Sequence, residues 1–325
     1  MMKRRIKIVL SCMIVICIIA FVIDYVGRIC VPEYTGDAFN TIEAFHNLPE
    51  DSVEVMVYGS SHAWKGLNCI EMYENYGIGA YNYGCNWQHI NTTSLFFEDS
   101  LRTQSPKVIL VETYLVNDVL SDIDMNGEIY YTRGISHFDA KSEYLEECFG
   151  NEYERYLSYY VPFVAFHSNW KNISRWSFAN PTDSYDFTKS MGYLASSKVV
   201  DVTLPDYRTF EQKELCEKAI KVLDNMVKIC RENDIEIIFY TVPYAGEYCY
   251  FDAMKEYAEE NGCKYINLFE KMDEMGFDSS TDFQDAGHLN DSGARKVAKY
   301  LGKYISENYE VTDMRKIENN LWENN

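Results

Sequence analysis

The sequence predicts an α/β fold, a five-stranded parallel sheet held between two layers of helices in a three-layer α/β/α sandwich. Three observations predict it. Five short runs rich in β-branched and other apolar residues read as buried strands, helical apolar stripes lie between them, and Gly or Pro punctuates the strand ends. Strands that alternate with helices favour parallel pairing, because each crossover lays a helix on a face of the sheet.

The first element lies ahead of the sheet. Residues 8–23 carry no charge and follow Lys3, Arg4, Arg5 and Lys7. With Ile6, Tyr25 and Val26 as flanks and Lys7 snorkelling, the run approaches the ~20 residues that span a bilayer. Because Lys and Arg stay on the cytoplasmic side, the expected topology is a single-pass protein of the cell membrane with its N-terminus inside and the rest outside. A cleaved signal peptide is the competing reading, but no small-x-small site follows Ile23. Residues 1–27 thus read as a basic tip and signal-anchor, and residues 28–51 as a linker and lead-in.

The first strand is expected over residues 53–58, ending at Gly59. The second falls near residues 80–83, and the third over residues 107–112 after Pro106. Residues 236–242, stopped by Pro243, and residues 264–268 supply the last two. Leu215, Ala219, Val222, Leu223, Met226 and Cys230 form a helical stripe before the fourth strand. A helix over residues 251–260 precedes the fifth, and Val297, Leu301, Tyr304 and Ile305 mark a closing helix. The sheet domain is therefore placed at residues 52–310, followed by a polar tail at 311–325. One section breaks the alternation. Residues 119–215 are rich in aromatics, including Tyr130, Tyr131, Tyr159, Tyr160, Trp170 and Trp176, and are too many for an ordinary loop. They read as an insertion folded over the sheet.

Composition narrows the functional classes. The chain has 325 residues, 47% of them hydrophobic, which is ample for a buried core. Thirty Lys+Arg against 50 Asp+Glu give a net charge of −20, so phosphate backbones would be repelled and no nucleic-acid partner is expected. The acidic surface also disfavours strongly anionic polymers. The four basic residues at the N-terminus precede the first acidic residue, Asp24, and the charge asymmetry is a matter of topology. Of the ten cysteines, Cys12 and Cys17 lie in the apolar run and the others follow no C-x-x-C spacing. No zinc knuckle, bridge framework, metal or other cofactor is therefore expected, and Cys216 and Cys230 read as core residues on apolar helix faces.

In parallel sheets functional residues gather where the strands end. The turn after the first strand reads Gly59, Ser60, Ser61, His62, and a serine there stands beside the free N–H groups of the next helix. A plain helix cap is the competing reading. Near the other end lie Asp285, Ala286, Gly287, His288, Leu289 and Asn290. A serine nucleophile needs a base, and the base needs a carboxylate that fixes its tautomer; His288 and Asp285 supply both on one loop. His62 is a weaker candidate base, since a residue next to the nucleophile on such a turn usually points away. His46, His89 and His137 are given no role.

With these two blocks the sequence resembles the SGNH hydrolase superfamily of GDSL-like esterases and lipases. The resemblance covers the five strands and their helices but not the insertion. It implies a flavodoxin-like sheet, Ser61 as nucleophile with Ser60 in the family's Asp position, and Asp285 and His288 as its partners. Residues 287–293 look like the family's His-Leu-Asn continuation. For the oxyanion hole the resemblance implies the N–H of Ser61, Gly84 after the second strand, and an Asn after the third. The last maps only onto Asn117, three residues late, with Asn86 or a backbone N–H as alternatives. An α/β-hydrolase elbow would want Gly where this chain has Ala63.

The expected function is an outward-facing serine esterase or O-acyltransferase acting on acyl esters, acetyl foremost, of cell-envelope polysaccharide. An acylated carbohydrate or other small ester would be the substrate, and a membrane protein that passes acyl groups would be the further partner. His167 and Trp170, within the insertion, are candidate sugar-binding residues by hydrogen bonding and stacking. A non-catalytic glycan-binding or scaffold protein of the same fold is the alternative from another class. A lipase for long acyl chains fits less well, because the insertion is aromatic rather than aliphatic.

Overall fold

The computed structural model describes residues 2–31, 36–118, 129, 132, 134–135, 137–150, 152–178 and 185–323. Its strands are β1 (Val55–Tyr58), β2 (Ala80–Asn82), β3 (Val108–Glu112), β4 (Glu211–Gln212), β5 (Glu236–Thr241), β6 (Tyr248–Cys249) and β7 (Lys264–Asn267). Five of them make the main sheet in the order β2-β1-β3-β5-β7, every pair parallel. The predicted sheet is present, with each strand within two residues of its expected limits. Val55 to Tyr58 and Val108 to Glu112 are buried along their whole length, as strands covered on both faces must be. The chain reverses direction of travel at β1, which has β2 on one side and β3 on the other. The exit of β1 is thus the switch point, where a crevice opens beyond the strand ends.

The principal helices are α1 (Met2–Ile29), α2 (Gly36–His46), α3 (Ser61–Gly66), α4 (Cys69–Tyr76), α5 (Ile90–Ser100), α6 (Phe138–Phe149), α7 (Tyr153–Ser158), α8 (Pro162–Phe166), α9 (Glu217–Glu232), α10 (Phe251–Glu260) and α11 (Asp291–Asn308). Helix α11 packs on α3 and α4 on one face of the sheet, and α5 packs on α9 on the other. The α9 stripe turns Ala219, Val222, Leu223, Met226 and Cys230 into the core. Cys216 departs from expectation: it is the exposed N-cap of α9 rather than a core residue. All ten cysteines are free thiols.

Helix α1 is 28 residues long, and its most apolar 18-residue stretch has a mean hydropathy of 3.0 with none of that stretch buried. By length and composition it can cross a membrane, as a signal sequence or an anchor would. Its C-terminal end rests on α8. A Cβ on Gly27 would run into the Phe163 backbone nitrogen, so glycine is what allows this close crossing.

The insertion is not one sheet-covering cap. Its first described part, α6 to α8 and the turns after them, leans on α5 and on the end of α1. Its return leg is a strap over the strand ends: Asn82 N donates to Met191 O, Leu194 N to Trp64 O, Val200 N to Phe283 O and Asp291 N to Ser196 O. Tyr130 and Tyr131 lie outside the described residues, as does the side chain of Trp176. The polar tail is also different from expectation. Trp322 is 2% exposed and its indole N–H donates to Ala80 O at 3.1 Å, so the C-terminal segment covers the β2 edge that would otherwise be open.

Candidate active site

Gly59 ends β1 at φ +139, and a Cβ there would stand 2.8 Å from Glu112 Cβ and 3.1 Å from Ala63 Cβ. Only glycine fits this conformation and this gap. The Gly59 N–H is fixed by Gln88 Oε1 at 2.8 Å. Ser60 is the N-cap of α3, its hydroxyl accepting from His62 N at 3.2 Å. Capping therefore falls to Ser60, and the next residue, Ser61, keeps its hydroxyl for another partner. That partner is His288: Ser61 Oγ lies 2.7 Å from His288 Nε2.

The loop that carries His288 is tied on several sides. Asn290 caps α11 through Gly293 N, while its amide donates to the carbonyls of Thr281, Phe283 and Lys198. The buried Asp282 pairs with Lys296 at 2.7 Å below the loop. Asp285 Oδ1 receives the Gly287 and His288 N–H groups at 2.9 and 3.0 Å and lies 2.9 Å from His288 Nδ1. Asp285, His288 and Ser61 thus form one hydrogen-bonded line assembled from residues 227 apart. Burial, and then the positive charge of Lys65, push the His288 pKa below its ordinary value against the opposing effect of Asp285. The ring is neutral at neutral pH, the state in which Nε2 can accept a proton. Burial would raise the Asp285 pKa, but the bonds from His288 and the two backbone N–H groups leave it below the usual range.

The other residues singled out in the sequence are placed less simply. The N–H of Gly84 donates to Asn82 Oδ1 at 3.0 Å, and Asn82 Nδ2 binds the carbonyls of Ala63 and Leu67. That set fastens α3 to the end of β2 and leaves Gly84 in a structural role. Asn117 is turned toward the insertion, where its Oδ1 accepts from Cys216 N at 2.6 Å; the turn after β3 carries it to the start of α9. Asn86 is half-buried beside Trp87, whose φ is +54. His167 and Trp170 sit in the segment drawn against α1. Asn169 Nδ2 donates to Cys30 O at 2.7 Å, and the Trp170 side chain is exposed. Their contacts belong to the foot of the apolar helix and not to the Ser61 cluster.

His62 does not point away. Its buried ring stacks on Tyr114 at 3.8 Å and meets His288 edge-on at 5.5 Å, and burial drives its pKa well below the ordinary value. Tyr244 closes the group, edge-on to both His62 and Tyr114, and joins it to the aromatic cluster of Phe210, Phe251 and Phe269.

Two residues that sequence reasoning passed over stand out. Glu112, the last residue of β3, is 4% exposed; its Oε2 accepts the Tyr114 N–H at 3.1 Å and lies 3.5 Å from Ser60 Oγ. Burial pushes its pKa up to about 8, overcoming the backbone N–H groups of Tyr114, Val242 and Thr113 and the Ser60 hydroxyl. Lys65 stands four residues after Ser61 on α3, close enough for its charge to act on His288. A charged residue ending a buried strand was the available signal for Glu112; nothing local marked Lys65.

No protein-family model matches this chain, and no curated protein matches its sequence. Among solved structures it is similar to a "putative acylhydrolase" from Bacteroides fragilis, with a TM-score of 0.39 and 12% identity over 81% of this chain and 92% of that one. The likeness is distant.

Proposed function

We propose that the chain is a membrane-anchored serine esterase or O-acyltransferase of the SGNH type, acting on acyl esters, acetyl foremost, of cell-envelope carbohydrate. The observation that carries this reading is the hydrogen-bonded line from Asp285 through His288 to Ser61. In it Ser61 Oγ attacks the ester carbonyl carbon as its proton passes to His288 Nε2, and Asp285 holds the Nδ1–H and balances the imidazolium. The oxyanion faces the Ser61 N–H in the first turn of α3, where a helix has no internal partner for it, with Lys65 adding positive potential. Collapse expels the alcohol, which takes the proton from His288. Water or a sugar hydroxyl, deprotonated by the same ring, then removes the acyl group. The partly open ring of Tyr114, backed by the buried His62 and Tyr244, supplies an aromatic edge to the site for a short acyl group or a sugar ring. Helix α1 supports anchoring, with its basic residues on the cytoplasmic side.

The engagement of Gly84 and Asn117 elsewhere favours a second reading, a glycan-binding scaffold that retains the fold. One experiment separates the two. The full chain in detergent is exposed to a fluorophosphonate probe and a chromogenic acetyl ester, alongside Ser61→Ala, Ser60→Ala and His288→Ala. Labelling of the unmutated chain that vanishes in Ser61→Ala, with ester cleavage down by at least about a thousandfold, supports the enzyme. No labelling of the unmutated chain selects the scaffold, and labelling that survives Ser61→Ala overturns Ser61 as the nucleophile. Acetylated-sugar donors and acceptors then divide transferase from esterase.

A further inference from the structure

Three side chains outside the Ser61 cluster converge from distant parts of the chain. His46 closes α2, Asp99 lies in the last turn of α5, and His137 immediately precedes α6. The Asp99 side chain is fully buried, whereas 16% of His46 and 28% of His137 remain open to solvent. His137 Nδ1 stands 2.7 Å from Asp99 Oδ1, and His46 Nε2 stands 3.3 Å from Asp99 Oδ2. The donor atoms of all three lie within 4.8 Å of one another. The Tyr83 hydroxyl donates to Asp99 Oδ2 at 2.9 Å from inside the core.

The geometry points to a binding site for a divalent transition-metal ion of the zinc kind, held by His46 Nε2, His137 Nδ1 and the Asp99 carboxylate with water completing the shell. Two imidazoles and one carboxylate are a donor set that suits zinc and its neighbours, whereas calcium and magnesium prefer oxygen alone. A tetrahedral ion with bonds of about 2.1 Å spaces its ligand atoms about 3.4 Å apart. The two rings approach different oxygens of Asp99, at 3.3 and 2.7 Å, and with one donor atom from each residue all three lie within 4.8 Å of one another, so ring rotations and a small turn of the carboxylate would bring them to tetrahedral spacing. Tyr83 is the outer hydrogen bond that orients a ligating carboxylate. The partly exposed rings leave the ion a way in. Expecting no metal from the cysteine pattern does not bear on this site, which uses none. Bound there, the ion would tie the lead-in helix α2 and the start of the insertion to the core helix α5.

The test uses the full chain in detergent, freed of any affinity tag and stripped with chelator, titrated with Zn²⁺ by calorimetry and with Co²⁺ by visible absorption. One Zn²⁺ per chain is expected, with a higher melting temperature and a Co²⁺ band of tetrahedral intensity. His137→Gln and His46→Gln should each weaken Zn²⁺ binding at least tenfold, and the pair should lose the Zn²⁺-dependent rise in melting temperature. If the double variant is poorly folded, His137→Gln alone decides, because that partly exposed residue precedes a helix. Binding in His137→Gln equal to that of the unmutated chain, or no saturable binding to a folded unmutated chain, would overturn the assignment and leave a His-Asp-His hydrogen-bond clamp.

Discussion

Replacing Glu112 by Gln keeps the shape and the acceptor oxygen of a buried side chain and removes its titration. In the folded protein the carboxyl pKa is raised from 4.5 to about 8, so the folded state holds a proton that the unfolded chain releases. Stability is therefore fullest below about pH 4.5 and falls as pH rises toward 8. Each tenfold change in ionisation constant is worth about 1.4 kcal/mol, which makes the whole loss about 4 to 5 kcal/mol as an upper figure. Glu112→Gln should match the unmutated chain at pH 5 to within about 1 kcal/mol and exceed its stability by a few kcal/mol at pH 8. Guanidinium unfolding followed by tryptophan fluorescence at pH 5, 6, 7 and 8 measures this. Two curves that run parallel across the range would refute the reasoning, because they would mean that Glu112 ionises alike in both states.

Three further outcomes follow from the site and its frame. The acid limb of kcat/KM for acetyl-ester cleavage should lie below pH 6.5, since His288 is depressed by burial and Lys65; Lys65→Met removes one cause and should move that limb to higher pH, costing more rate at pH 6 than at pH 8. Gly59→Ala places a Cβ 2.8 Å from that of Glu112 at φ +139; it should cost roughly 1 to 3 kcal/mol and abolish fluorophosphonate labelling by displacing Ser61. Trp322→Ala uncovers the β2 edge and should cost about 3 to 5 kcal/mol in thermal or chemical unfolding while leaving the pH profile of ester cleavage unchanged.

What was legible in the sequence was what local chemistry encodes. Val55 to Tyr58 and Val108 to Glu112 are apolar on both faces because parallel strands are covered on both faces, so the runs announce themselves. Ser61 and the Asp285–His288 pair were legible because each occupies a short loop at a strand exit or helix start, where spacing alone constrains position. The placement of Asn117, His167 and Trp170 was not legible, for the opposite reason. Their surroundings are set by the insertion, which carries no strand-and-helix cadence, and by the glycine at position 27 that lets α8 approach α1.

By itself the sequence determined the order of strands and helices, the apolar N-terminal helix and the two loops that bring Ser61, His288 and Asp285 within reach. These follow from periodicity and turn chemistry, which act over a few residues. Only the tertiary structure decided that Ser60 caps while Ser61 faces His288, that Glu112 is buried beneath them, that the tail seals the β2 edge, and that His46, Asp99 and His137 meet. Each of these depends on burial and on contacts between residues far apart in the chain, and both are properties of the packed molecule that no local pattern carries.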